Sequence, residues 1–202
     1  GKELEYMRHP VKWDHMQKNI HKLEAFAKEN SNVKLTDSIT VSIYNVLHIL
    51  DYIEWKVKAG KYDFDYLWQR HPHHFGVHPL HGPDFLCVKT MPPNCKKIVT
   101  EKYEEWRKKM CDWCDEIDHY TNVQTQHGVK ESINAYVDTW IKFINQDDWS
   151  KSMYKFWDFT NELDEIRGEN FAEVFPELSE LLQDYHSKPD WWFLPTERFD
   201  KE

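Results

Sequence analysis

The feature that most constrains this chain is a run of alternating residues set between two helical patterns. Val33, Leu35, Ile39, Val41 and Ile43 alternate with Lys34, Thr36, Ser38, Thr40 and Ser42, and the run is rich in β-branched residues, so it reads as a strand. Asp37 interrupts the apolar alternation in its first half. Before it, Trp13, Met16, Ile20, Leu23, Phe26 and Ala27 recur at three- and four-residue steps. Residues 11–29 therefore read as an amphipathic helix, with Pro10 in its first turn and Asn30-Ser31-Asn32 as its stop. After the strand, residues 46–59 read as a second helix, apolar on more than one side (Val46, Leu47, Ile49, Leu50, Ile53, Val57) and ended by Gly60. The next strand is His74–His78, closed by Pro79 and followed by an irregular Pro-, His- and Gly-rich loop. A helix between two strands implies a right-handed βαβ crossover and a parallel pair.

From Pro92 onward the period is helical throughout. Ile98, Val99, Tyr103, Trp106, Met110, Trp113 and Ile117 mark a helix over Lys96–His119, and Ile133, Tyr136, Val137, Trp140, Ile141 and Ile144 mark another over Val129–Asn145. Met153, Phe156, Trp157 and Leu163 mark a third over Trp149–Ile166, and Pro176 opens a short one ending near Tyr185. The tail Pro189–Glu202 carries the aromatic run Trp191-Trp192-Phe193-Leu194. The expected organisation is an α/β part over residues 1–91 and a helical part over residues 92–202. Two parallel strands make a poor sheet by themselves, because parallel sheets need both faces and both edges covered. The pattern implies that part of the sheet lies elsewhere.

Composition narrows the class of protein. With 40% hydrophobic and 30% charged residues in 202, the chain is globular rather than disordered. No apolar run approaches the roughly 20 residues of a membrane helix, and the first ten residues lack the apolar centre of a signal peptide. A net charge of −9 argues against a chain built to coat nucleic acid. Four cysteines without a signal peptide point to a reducing compartment, so the expected localisation is cytoplasmic.

Several stretches, taken in order, carry a resemblance. The opening Gly1–Leu23 (GKELEYMRHPVKWDHMQKNIHKL) is similar to the segment after the fourth barrel strand of radical S-adenosylmethionine (SAM) enzymes of the SPASM/twitch group. Gly1 stands where a Ser-x-Asp-Gly strand end closes, and Tyr6-Met7-Arg8 matches the aromatic-x-Arg segment. Ile39–Asn45 (ITVSIYN) resembles the fifth strand, and His74–Pro92 resembles the sixth strand and its loop. Leu163–Leu178 (LDEIRGENFAEVFPEL) resembles the closing Asp-x-x-Arg…Pro-Glu-Leu pattern of twitch-type members, viral ones included.

The resemblance implies a fold: the last two βα units of an incomplete (βα)6 barrel, then a helical twitch-like tail. It also implies two cofactors, SAM and a 4Fe–4S cluster whose one-electron chemistry yields a 5′-deoxyadenosyl radical that modifies a substrate, peptide or protein among the candidates. The family's Cys-x-x-x-Cys-x-x-Cys ligands are absent from this chain, so the resemblance places the first half of the barrel outside it. This chain alone is then expected to be inactive without a partner chain supplying that half. Two other readings stay open: a non-catalytic helical interaction module with an aromatic, acidic surface, and a histidine-rich metal binder.

By the resemblance, Arg8 contacts the cofactor's carboxylate, a role suited to the guanidinium fork. The alternative is a surface pair with Glu3 or Glu5. Ser42 and Asn45 stand at the carboxyl end of the first strand, where α/β barrels build their sites, and are the other SAM-binding candidates. Asn45 is equally suited to capping the helix that follows. His71, His73, His74, His78 and His81 crowd eleven residues, and imidazoles ligate zinc, copper or nickel. His78 and His81 are the substrate-facing candidates. Cys87, Cys95, Cys111 and Cys114 could ligate an auxiliary cluster or zinc, although Cys111 and Cys114 lie on a helical stripe rather than in a tight loop. Arg167 is expected to tie the Asp164 helix to the next one, with Glu177 complementing that helix's amino end.

Overall fold

The computed structural model describes residues 1–33, 35–58, 73–116 and 123–186. The chain opens with a helix that the sequence does not announce, α1 (Lys2–Met7), followed by α2 (Trp13–Glu29). Pro10 precedes α2 by three residues instead of lying in its first turn. The amino end of α2 is capped from α1, where the Glu5 carboxylate accepts the Trp13 N–H at 3.0 Å. Asn30 closes the other end, its Nδ2 donating to the Phe26 carbonyl at 2.7 Å.

Two strands follow, β1 (Leu35–Val41) and β2 (His73–Pro79), with α3 (Ile49–Lys58) between them. They pair in parallel, with Leu35 opposite His73 and Thr40 opposite His78, as a two-stranded sheet. Helix α3 starts three residues later than the apolar pattern suggests, because residues 43–48 form consecutive turns in which Ile43, Tyr44, Val46 and Leu47 are already buried.

The faces of β1 differ. Asp37, Ile39 and Val41 turn toward the helices, and Ser38 and Thr40 are exposed. The Asp37 that interrupts the alternation is therefore on the covered side. Its carboxylate accepts the Tyr52 hydroxyl at 2.9 Å and lies 3.4 Å from the Lys56 ammonium of α3. Lys56 is fully buried and also meets Glu24 of α2 at 3.3 Å. A buried cation needs such partners, since leaving it uncompensated costs several kcal/mol, roughly 3–5.

The second half is built of α4 (Pro93–Glu116), α5 (Val123–Asn145), α6 (Met153–Arg167), α7 (Phe171–Val174) and α8 (Pro176–Leu182). On α4 the buried stripe is Cys95, Val99, Tyr103, Trp106, Met110 and Cys114, shifted from the expected one: Ile98 is exposed and Trp113 half-buried. It packs on Ile133, Tyr136, Val137, Trp140 and Ile144 of α5. Gly168, at φ +65°, ends α6 in the left-handed conformation that a Cβ disfavours. Asn170 then caps α7, accepting from the Ala172 and Glu173 N–H groups at 3.0 and 3.3 Å.

Core residues of both halves belong to one cluster, running from Tyr6 and Val41 to Leu182. Among the described residues no helix is long and apolar enough to cross a membrane. The chain's Gly60 and its aromatic tail 189–202 lie outside the described residues, as do positions 117–119 of the expected α4 helix.

Candidate functional site at the carboxyl end of the strands

The segment leaving β1 is fastened by Asn45. Its Oδ1 accepts the Ser42 N–H at 2.7 Å, with the Ser42 hydroxyl at 3.4 Å, and its Nδ2 donates to the Thr40 carbonyl at 3.0 Å. Asn45 thus ties the strand end to the turn after it, and is not the cap of α3, which begins four residues later. Ser42 and Asn45 are brought together as a pair. The Val41 carbonyl accepts the Leu80 N–H at 2.8 Å and the Ile43 N–H donates to the Leu86 carbonyl at 2.9 Å, so both strand ends share one backbone framework.

Tyr44, between Ser42 and Asn45 in sequence, is buried and packs on the segment that carries the third SAM candidate. Its ring lies 5.8 Å from that of Tyr6, two residues before Arg8. Its hydroxyl bonds Thr160 Oγ1 at 2.8 Å, and burial pushes its phenol up to about 12. Arg8 is exposed at the end of α1. The surface pairs weighed for it do not form: Glu5 takes the Trp13 N–H and the Lys12 ammonium at 3.0 and 3.1 Å. The Trp13 N–H first, and then Lys12, hold that carboxyl below its usual range. Among the described residues the Arg8 guanidinium has no hydrogen-bond or ion-pair partner.

A group of tail side chains brackets this arginine. The Tyr6 hydroxyl donates to Asp164 Oδ1 at 2.8 Å, and its carbonyl accepts from Arg167 Nη1 at 2.9 Å. On the other side of Arg8, His9 Nδ1 lies 3.5 Å from Glu169. Arg167 therefore reaches back to the amino-terminal segment, not to the next helix as the sequence suggests. Asp164 makes the inter-helix link, its Oδ2 accepting the Phe171 N–H at 2.7 Å. Glu177 stands in the first turn of α8 behind Pro176 and pairs with Lys102 of α4 at 2.9 Å. Tyr6 is sealed in a ring cluster with Tyr44, Phe171 and Phe175. No local pattern signals that Tyr6 and His9 meet Asp164, Arg167 and Glu169, because they are separated by more than 150 residues.

The histidines are dispersed. His78 is exposed on the open face opposite Thr40, whereas His81 sets its ring edge-on to Phe143 at 5.7 Å. His71 lies outside the described residues, and so do the side chains of His73 and His74. The cysteines are not assembled into a ligand set. Cys87, Cys95 and Cys114 are buried in the core and Cys111 is half-buried, all four as free thiols. Cys95 Sγ donates to the Leu181 carbonyl at 3.2 Å. Burial raises all four, Cys95 and Cys114 to about 11, which opposes the thiolate form that metals bind. Among the described residues no group of three or more His, Cys, Asp or Glu side chains is placed to hold a metal. The helical stripe on α4 accounts for Cys95 and Cys114, which pack as apolar residues.

Two shallow depressions of about 440 and 460 Å³ lie between α3 and α4, lined by Lys58, Lys109, Glu54 and Trp113 among others, away from the strand ends. Comparison with family models, curated proteins and solved structures gave no match to this chain.

Proposed function

We propose that this chain is the carboxyl-terminal portion of a radical SAM iron–sulfur protein, contributing the last two βα units of its barrel and a helical tail. One observation carries the reading: a parallel strand pair with Ser38, Thr40 and His78 exposed, and an exposed Arg8, without a partner among the described residues, two positions from the Tyr6 ring that meets Tyr44 after the first strand. A barrel would place that side inward, with Ser38, Thr40 and His78 lining its interior. The apolar stripe of α2 supports the same reading, because Leu23 and Phe26 remain 54% exposed and Met16 38% exposed. A helix face of this kind calls for a covering element, and we assign that role to the barrel half bearing the cluster cysteines, on a partner chain or preceding segment.

The residues present fit one cofactor and not the other. Arg8 suits a carboxylate, and Ser42 with Asn45 offers hydroxyl and amide groups at the strand end. The cysteines do not suit a cluster, being free thiols, three buried and Cys111 half-buried, that are not gathered at one place. In the assembled protein the cluster supplies one-electron cleavage of SAM. Arg8 would orient the carboxylate bidentately, Ser42 and Asn45 would hold the amino-acid or ribose groups, and the enclosing barrel would keep water out. A peptide or protein substrate and a cytosolic setting fit this assignment.

Anaerobic reconstitution with an iron and sulfide assay tests it. The chain alone should retain no iron, and the chain mixed with the product of the reading frame immediately upstream should retain four irons per assembly. Iron held by the chain alone, or none held by the mixture, would contradict the assignment.

A further inference from the structure

We propose that Asp164, Arg167 and Glu169 are positioning residues for Arg8: the stretch 164–169, by holding Tyr6 and His9, sets where the Arg8 backbone stands. The clause that Arg8 is a cofactor residue rests on the function proposed above; the clasp itself rests on geometry alone.

Helix α1 has six residues. A helix so short does not persist in water without tertiary support, since isolated helices under roughly 12–15 residues are marginal. Its support comes from the tail. The Tyr6 side chain is 2% exposed, with its ring edge-on to Phe175 at 5.4 Å and its hydroxyl on Asp164. The Tyr6 carbonyl, near the carboxyl end of α1, is taken by the Arg167 guanidinium. His9 is held toward Glu169, which Arg167 also approaches at 3.8 Å. Residues 6 and 9 are thereby gripped from one side by a six-residue stretch, 164–169.

Arg8, between them, has no partner for its guanidinium among the described residues. That arrangement suits a residue kept in place for a ligand, because the cost of ordering its backbone is already met by its neighbours. Gly168 lets the chain turn left-handed between Arg167 and Glu169, so that Arg167 meets Tyr6 of α1 and Glu169 meets His9 just beyond it.

Hydrogen exchange on the intact chain tests the clasp. The Arg8 N–H donates to the Leu4 carbonyl at 2.9 Å and the Val11 N–H to the Arg8 carbonyl at 2.8 Å, so both amides report on the segment. Arg167→Ala should speed exchange at these two amides at least tenfold, with β1 and α5 amides unchanged. Arg167→Lys should recover part of the protection, because an ammonium can still donate to the Tyr6 carbonyl. Tyr6→Phe and Glu169→Gln are milder variants that keep the ring cluster, and each should produce a smaller acceleration at the same amides. Ile166→Ala, at a side chain 80% exposed beside the clasp, should change nothing.

Native exchange at Arg8 and Val11 in Arg167→Ala would overturn the proposal. So would equal acceleration across β1 and α5 in Arg167→Lys, Tyr6→Phe and Glu169→Gln, since the tail would then be holding the whole fold and not this segment. The cofactor role of Arg8 fails separately, on SAM cleavage by Arg8→Ala in the assembled protein.

Discussion

The Tyr6 hydroxyl donates to Asp164 Oδ1 at 2.8 Å, joining residues 158 positions apart. The same carboxylate accepts the Phe171 N–H through its other oxygen, so one side chain ties α1 to both α6 and α7. Tyr6→Phe removes one hydrogen bond to a charged acceptor and should lower stability by about 1–2 kcal/mol. Asp164→Ala should cost more, because the Phe171 N–H and the Tyr6 hydroxyl both lose their acceptor. Urea denaturation of the two variants checks the order, and equal losses would contradict it.

Lys56 offers a second contrast. It is fully buried between Glu24 and Asp37, whose side chains remain partly exposed. Asp37→Ala leaves the buried cation with less compensation and releases the Tyr52 hydroxyl, so it should destabilise by about 2–4 kcal/mol. Lys56→Met replaces the cation with an apolar side chain of similar length and should cost less than Asp37→Ala. Chemical denaturation of both variants decides this.

The thiols predict a pH dependence. Burial raises Cys95 and Cys114 from an ordinary 9.0 to about 11, so folding favours the protonated form. Their contribution is complete below about pH 9 and is lost as pH rises toward and through 11. In the native chain at pH 8, Cys111, half-buried, should react with a thiol reagent before Cys87, Cys95 and Cys114. Timed labelling followed by peptide mass analysis reads the order. Early labelling of Cys95 would contradict the packing described here.

What the sequence made legible follows from the range of the forces involved. Helix periods and the strand alternation are local, and α2, β1, α3, β2, α4, α5, α6 and α8 lie close to where those patterns place them, whereas the four-residue α7 is too short to leave a period. The open side of Ser38, Thr40 and His78 follows from the period of two, which leaves the register of β1 on β2 open to two-residue steps. Three features were not legible. Helix α1 owes its existence to contacts with the tail, which its own six residues do not encode. Asp37 breaks a pattern locally but is explained by Lys56, a partner on another element. The stripe on α4 rotates so that Cys95 and Cys114 enter the core in place of Ile98, and spacing alone leaves that choice open. At the candidate site, Ser42 and Asn45 were legible as a strand end. The freedom of Arg8 was not, because it depends on Glu5 being taken by Lys12 and the Trp13 N–H.

The uncovered stripe on α2 predicts a separation of stability from assembly. Leu23→Glu and Phe26→Glu place charges on side chains already more than half exposed, so this chain alone should change by no more than about 0.5 kcal/mol. Binding of the proposed barrel half should be lost in both. Thermal denaturation together with size-exclusion chromatography of the mixture tests the pair of outcomes.

The most direct measurement is 5′-deoxyadenosine release from SAM under anaerobic reducing conditions, by this chain reconstituted with the product of the upstream reading frame. The account predicts release by the mixture only, falling by at least tenfold in Arg8→Ala. Absence of release from the mixture, or release that Arg8→Ala leaves unchanged, would contradict it.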